Sequence, residues 1–113
     1  MSNQPRSQSE RKRNALVRMA DRTLTGAGLR NIEHSLHPAR VTGLPQGGVV
    51  VVAGVQTGAL LTRAWDMQYR EEVRRTVNGY AVLLHPTRSR GDVVEMTWPQ
   101  FITITQLLGG IEP

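Results

Sequence analysis

The sequence predicts an α+β domain in which a small antiparallel sheet or partly closed barrel of four to five strands is flanked by an N-terminal basic amphipathic helix and a short C-terminal helix. Two observations support this prediction. Apolar residues recur with helical spacing near the N-terminus, whereas short β-branched runs between Gly- and Pro-rich turns follow from Val41 onward. A length of 113 residues fits a single domain.

The first helix is expected from about Ser9 to Leu24, and Gly26 and Gly28 supply its stop. One face of this helix carries the apolar series Leu16, Met19, Ala20, Thr23 and Leu24, and the opposite face carries Arg11, Arg18 and Arg22. A short second helical turn is expected over Asn31–Leu36, ending before Pro38, because the residue before a proline disfavours helix.

The strand predictions rest on apolar runs and turn residues. Val49–Ala53 predicts a buried strand, and Ala59–Trp65 predicts the next strand. The pair Asn78-Gly79 predicts a type I′ hairpin between extended segments at Glu72–Val77 and Tyr80–Leu84. Asp92–Met96 predicts a further strand.

The last element is open to two interpretations. Thr97 and Gln100 have the spacing of a capping box, and Gly109-Gly110 suits a helix end. The β-branched run Ile102–Thr105 also suits a strand. A short helix is favoured.

The positive charge is concentrated near the N-terminus. Residues 1–40 carry eight Lys or Arg and three acidic residues, whereas residues 41–113 carry six of each, so the net charge of +5 lies in the first segment. This divides the chain into a flexible polar tail (1–8), a basic helical arm (9–40) and a compact β-rich body (41–113). Such asymmetry indicates a nucleic-acid or other anionic partner.

Several function classes are disfavoured by composition. The absence of cysteine excludes disulfides, thiolate nucleophiles and Cys-ligated zinc. No apolar run is long enough to cross a bilayer and no secretory signal is present, so a cytoplasmic location is expected (the host cytoplasm if the protein is viral). The nine carboxylates are scattered and no phosphate-binding loop or nucleophile elbow occurs, so neither an enzyme, a cofactor, a metal nor a small-molecule substrate is expected.

The leading functional hypothesis is non-enzymatic binding of nucleic acid, preferably single-stranded DNA or RNA, with low sequence specificity, as in a small transcription or replication accessory factor. The expected phosphate-binding residues of the arm are Arg11, Lys12, Arg13, Arg18 and Arg22. A second cluster in the body contains Arg63, Trp65, Tyr69, Arg70, Arg74 and Arg75, in which Trp65 and Tyr69 would stack on bases. The competing interpretation is that Asp66, Glu71 and Glu72 pair with these arginines.

Two other function classes are kept open. A structural assembly subunit, for example of a viral particle, would use the basic arm and the sheet edge for subunit contacts. A protein-binding adaptor or inhibitor would dock its partner by strand addition. A homo-oligomer is expected because a single-layer sheet leaves an apolar face to cover, and membrane binding is not expected because the arm has no aromatic anchor.

Overall fold

The structure is a computed structural model that describes residues 8–53, 65–76, 79–87 and 91–109. Within these residues the fold is α+β, as predicted, with a helix before and a helix after a five-stranded sheet. The elements are α1 (Gln8–Gly26), β1 (Glu33–Leu36), β2 (Ala39–Leu44), β3 (Gly48–Val52), α2 (Arg70–Arg75), β4 (Tyr80–Thr87), β5 (Gly91–Glu95) and α3 (Trp98–Gly109). A π-helical turn, Trp65–Tyr69, leads directly into α2.

The sheet is open and has the strand order β1-β2-β3-β4-β5. Three of its four strand pairs are antiparallel, whereas β3 and β4 run parallel, from the pair Gly48 and Tyr80 to the pair Val52 and Leu84. A parallel pair requires a crossover connection, which here contains α2. The open form of the predicted sheet is therefore confirmed, but it includes a parallel pair that the sequence analysis does not predict.

Helices pack on both faces of the sheet. On one face, Val17 and Ala20 of α1 join a buried cluster with Val41, Val50 and Val52. On the other face, Tyr69 packs with Val51, Ala53, Ala81 and Leu83. Alternate valines of β3 therefore face opposite helices. The apolar sheet face that was expected to need an external partner is covered from within the chain.

The prediction of α1 is confirmed, with a small rotation of its buried stripe. The helix begins one residue earlier and ends two residues later than expected. Val17, rather than Leu16 or Met19, is fully buried at the centre of the inner face, and Thr23 is exposed. None of the helices among the described residues is long and apolar enough to cross a membrane.

The predicted helical turn over Asn31–Leu36 is wrong. Asn31 has a φ of 65°, which is left-handed and cannot begin an α-helix, and the following residues form β1. This strand makes a hairpin with β2 across His37 and Pro38. Because β2 runs through residue 40, the expected boundary between arm and body does not coincide with a boundary of the fold.

The predicted hairpin at Asn78-Gly79 is also wrong. The segment before it is helical rather than extended, because α2 continues to Arg75. Thr76, the last residue described before this pair, is extended. The segment after it is β4, as predicted, but its neighbours are β3 and β5. The expected strand Ala59–Trp65 lies outside the described residues except for Trp65, which begins the π-helical turn.

The final helix α3 confirms the favoured interpretation of the C-terminal segment. Within it, the hydroxyls of Thr103 and Thr105 donate hydrogen bonds to backbone carbonyls of the helix, at 3.1 and 2.8 Å. Gln100 is not part of a capping box. Its Oε1 accepts a hydrogen bond of 2.9 Å from the backbone N–H of Ala81, in the part of β4 that precedes the ladder with β5.

Candidate nucleic-acid interface

The outer face of α1 carries four of the five residues of the arm that are predicted to bind phosphate. Four cationic side chains of this helix are exposed, namely Arg11, Lys12, Arg18 and Arg22. Of these, Arg11, Arg18 and Arg22 share one side of the helix. The helix rises by about 16 Å between Arg11 and Arg22. The expected placement of these arginines opposite the apolar stripe is therefore confirmed.

These side chains have few anionic neighbours. Among the described residues, Arg11, Lys12 and Arg18 form no ion pair with a carboxylate. Arg22 lies close enough to Asp21 for its charge to lower the pKa of that carboxyl. We refer to Arg11, Lys12, Arg18 and Arg22 as the cationic face.

Arg13 does not belong to the cationic face. It lies toward the inner side of α1, half-buried, and its Nε is buried without a hydrogen-bond partner among the described residues. The neighbouring Asn14 is 2% exposed, and both polar atoms of its amide are likewise unpaired. This turn of α1 therefore holds three buried polar atoms that nothing described satisfies.

The C-terminal half of α1 is fixed to the sheet by a polar contact. Asp21 Oδ2 lies 2.5 Å from Nδ1 of His34 on β1, and Asp21 Oδ1 accepts a hydrogen bond from the Thr25 hydroxyl at 3.2 Å. The hydrogen bond with His34 lowers the pKa of the Asp21 carboxyl, desolvation opposes this shift, and Thr25 and Arg22 add to it. This contact holds the cationic face in a fixed direction relative to the sheet.

The second predicted cluster has a different environment. Arg70, Arg74 and Arg75 lie on α2 rather than on the sheet. Glu71 binds Arg74 at 2.6 Å and Arg75 at 3.4 Å, and these neighbours, chiefly the hydrogen bond from Arg74, lower the pKa of the Glu71 carboxyl. The pairing expected across strands is thus made within one helix, at positions three and four residues apart.

A further arginine of the body is also paired. Arg40 of β2 donates to Glu72 at 2.7 Å, and Glu72 is 5% exposed. A buried carboxylate without such a partner would be costly, so this pair satisfies a charge that α2 brings against the sheet. The three body arginines Arg40, Arg74 and Arg75 therefore each contact a carboxylate, although Arg74 and Arg75 share the one charge of Glu71.

The prediction that Tyr69 stacks on bases is wrong. Its side chain is fully buried, its hydroxyl donates to the carbonyl of Ala81 at 2.8 Å, and the N–H of Thr97 donates to it at 3.2 Å. A ring in this position has no face available to a base. Trp65 lies at the start of the π-helical turn, with its side chain not described, and Arg63 lies outside the described residues.

The exposed aromatic residues are ones that the sequence analysis did not select. Trp98 and Phe101 stack at a centroid distance of 5.6 Å and both lie largely at the surface of α3. One signal in the sequence points to them. The twelve residues of α3 contain no charged side chain, and these two rings are three positions apart, on one side of a helix.

Two of the three histidines lie beside carboxylates. His34 pairs with Asp21, and His85, which is buried, pairs with Glu95. Among the described residues, no group of three or more His, Cys, Asp or Glu side chains could hold a metal ion. A cleft of about 220 Å³ beside α2 is lined in part by Glu71, Glu72 and Arg75, and a wider one of about 620 Å³ is lined in part by Val94, Trp98 and Phe101.

Comparison with protein-family models, with curated proteins and with solved structures finds no match to this chain. The function must therefore be argued from the arrangement of its own residues.

Proposed function

We propose that this protein binds nucleic acid without catalysing a reaction, through contacts between the cationic face of α1 and the phosphate backbone. Cations on one side of a helix neutralise phosphates and release condensed counterions, which gives affinity without sequence recognition. The proposal predicts low sequence specificity because no base-reading side chain is part of the interface.

One observation carries the proposal. Arg11, Lys12 and Arg18 have no anionic partner among the described residues, whereas the body arginines Arg40 and Arg74 are bound by carboxylates. Arginines already engaged by carboxylates must break those contacts to bind phosphate, and arginines without such contacts need not. The cationic face is thus the part of the described surface best prepared for a polyanion.

The test compares two variants that remove the same charge. Arg11→Gln with Arg18→Gln removes two cations from the cationic face, and Arg74→Gln with Arg75→Gln removes two cations from α2. Fluorescence anisotropy with labelled single-stranded and double-stranded DNA of equal length gives the affinity at several salt concentrations.

We expect the α1 variant to bind more weakly and to lower the dependence of log K on log salt concentration by about 1.4 for single strands or 1.8 for duplex, because two phosphate contacts are lost. The α2 variant should keep most of the affinity. Equal losses in both variants would show that net charge alone drives binding, and absence of binding by the unaltered protein at low salt would refute the proposal.

The comparison of the two DNA forms also tests the expected preference for single strands. That preference rested on base stacking by Trp65 and Tyr69, and the burial of Tyr69 removes one of these rings. Contacts to phosphates alone favour neither form strongly, so we expect both forms to bind through the same residues of α1.

A further inference from the structure

One end of the molecule exposes a group of large apolar side chains that no described element covers. The members lie on β5 and α3 and are Val94 (52% exposed), Trp98 (70%), Phe101 (44%), Ile102 (39%) and Leu108 (83%). We call this group the apolar patch. The largest exposed apolar patch on a protein is often an interaction site.

The apolar patch is integral to the fold rather than a loosely attached segment. Ile104, which lies between Phe101 and Leu108 along α3, packs against the core cluster that contains Val17, and Gln100 binds the backbone of β4. The stacked rings of Trp98 and Phe101 are therefore presented from a helix that is fixed on its inner side. Fixed aromatic side chains lose little conformational entropy when they bind, which suits an interface anchor.

The charge of this region disfavours a polyanion as its partner. The helix α3 carries no charged side chain, and the adjoining strand β5 carries Asp92 and Glu95 but no cation. Single-strand binders place cations among their stacking rings, and here the neighbouring charges are negative. The cationic face of α1 and the apolar patch thus have opposite chemical requirements.

We infer that the apolar patch is the interface of a homodimer, in which the apolar patch of a second copy of this chain covers it. An uncharged helix meets no like-charge repulsion when it packs against its own copy, as an isologous two-fold interface requires. The net positive charge of the chain lies outside α3, so this neutral helix brings no charged side chain of its own into a contact between two copies.

The area of the apolar patch is appropriate for this partner. The five side chains expose on the order of 500 Å² of apolar surface, and a standard interface buries about 800 Å² on each partner. Two copies together would exceed the area below which contacts are rarely specific.

The inference is tested by the mass of the full-length protein in solution. Sedimentation equilibrium over a dilution series should give twice the 12.5 kDa chain mass at high concentration. Leu108→Glu or Trp98→Ser should weaken the dimer by roughly thirtyfold or more, because each removes one of the two most exposed apolar side chains of the apolar patch. Circular dichroism verifies that both variants keep the native fold, which is expected because both side chains are exposed.

The matched control is Met67→Glu. Met67 is also a large apolar side chain, 69% exposed, but it lies in the π-helical turn before α2 and outside the apolar patch. This variant should remain a dimer. If Met67→Glu dissociates the dimer as Leu108→Glu does, or if neither variant weakens it, the apolar patch is not the interface.

Two other outcomes would overturn the inference. The first is that the unaltered protein is a monomer at every concentration. The second is that, in addition, Trp98→Ser weakens binding to single-stranded DNA, which would assign the exposed rings to base stacking. Because mass is measured without nucleic acid, failure of the dimer leaves the proposed role of α1 intact, and failure of DNA binding leaves the dimer intact.

Discussion

At the scale of single residues, Tyr69 connects the core, β4 and the segment before α3. Its ring fills the core between the sheet and the helical segment that leads into α2. Its hydroxyl links the carbonyl of Ala81 in β4 to the N–H of Thr97 before α3. One phenol therefore satisfies two backbone groups from separate elements, which explains why this tyrosine is buried rather than displayed.

Tyr69→Phe keeps the ring and removes the hydroxyl. We expect the free energy of unfolding to fall by about 1–3 kcal/mol, because the buried carbonyl of Ala81 loses its donor and the Thr97 N–H loses its acceptor. Urea denaturation measures the change. Tyr80→Phe is the control, since the Tyr80 hydroxyl makes no hydrogen bond among the described residues, and it should change stability much less. Equal effects would contradict the role assigned to Tyr69.

At the scale of elements, the contact between α1 and β1 depends on the charge of one carboxylate. The pKa of Asp21 is below its ordinary value of 3.8 in the folded protein, mainly because of the hydrogen bond with His34. A carboxylate with a lowered pKa contributes stability above its unfolded pKa and loses that contribution as pH falls through the folded pKa. The attachment of α1 should therefore weaken in acid.

The measurement is urea denaturation of the unaltered protein and of Asp21→Asn at a series of pH values. The unaltered protein should be the more stable one at neutral pH, and the difference should shrink as pH falls below 3.8, where the unaltered Asp21 also becomes neutral. His34→Ala should reduce the same pH dependence. A difference that stays constant through the acid range would show that the carboxylate charge does not stabilise the contact.

Sequence patterns predict some elements well and others poorly, for reasons that differ between elements. Three elements have strong local signals. Helix α1 has apolar residues at helical spacing, α3 is an uncharged segment that ends at glycine, and β3 is a run of valines. The segments at β1 and α2 depend on distant partners. Asn78-Gly79 suits a hairpin as well as the exit from a helix, and only the parallel register with β3 distinguishes the two.

At the scale of the whole molecule, the sequence predicts where the excess positive charge lies, but it does not predict which cations are left without a carboxylate partner. Counting residues places the net charge in the first forty positions, and the structure exposes four of those cations on α1, three of them on one side of the helix. Whether an arginine is engaged depends on which carboxylate the fold brings beside it. Arg40 meets Glu72 across 32 positions of sequence, a pairing that no local pattern reveals.

The parallel pair of β3 and β4 has a consequence for the chain during its synthesis. Strand β3 is nearly all valine and fully inside the sheet, and its β4 neighbour is made only about thirty residues later. Until β4 emerges from the ribosome, β3 is an apolar edge strand, which is the type of segment that seeds aggregation.

A chain that stops at Thr76 should therefore precipitate while the full-length protein stays soluble, and Val49→Lys should improve the solubility of the shortened chain by placing a charge on that edge. Centrifugation of freshly synthesised protein measures both. If the shortened chain stays soluble without the lysine, the delay between the synthesis of β3 and that of β4 does not promote aggregation.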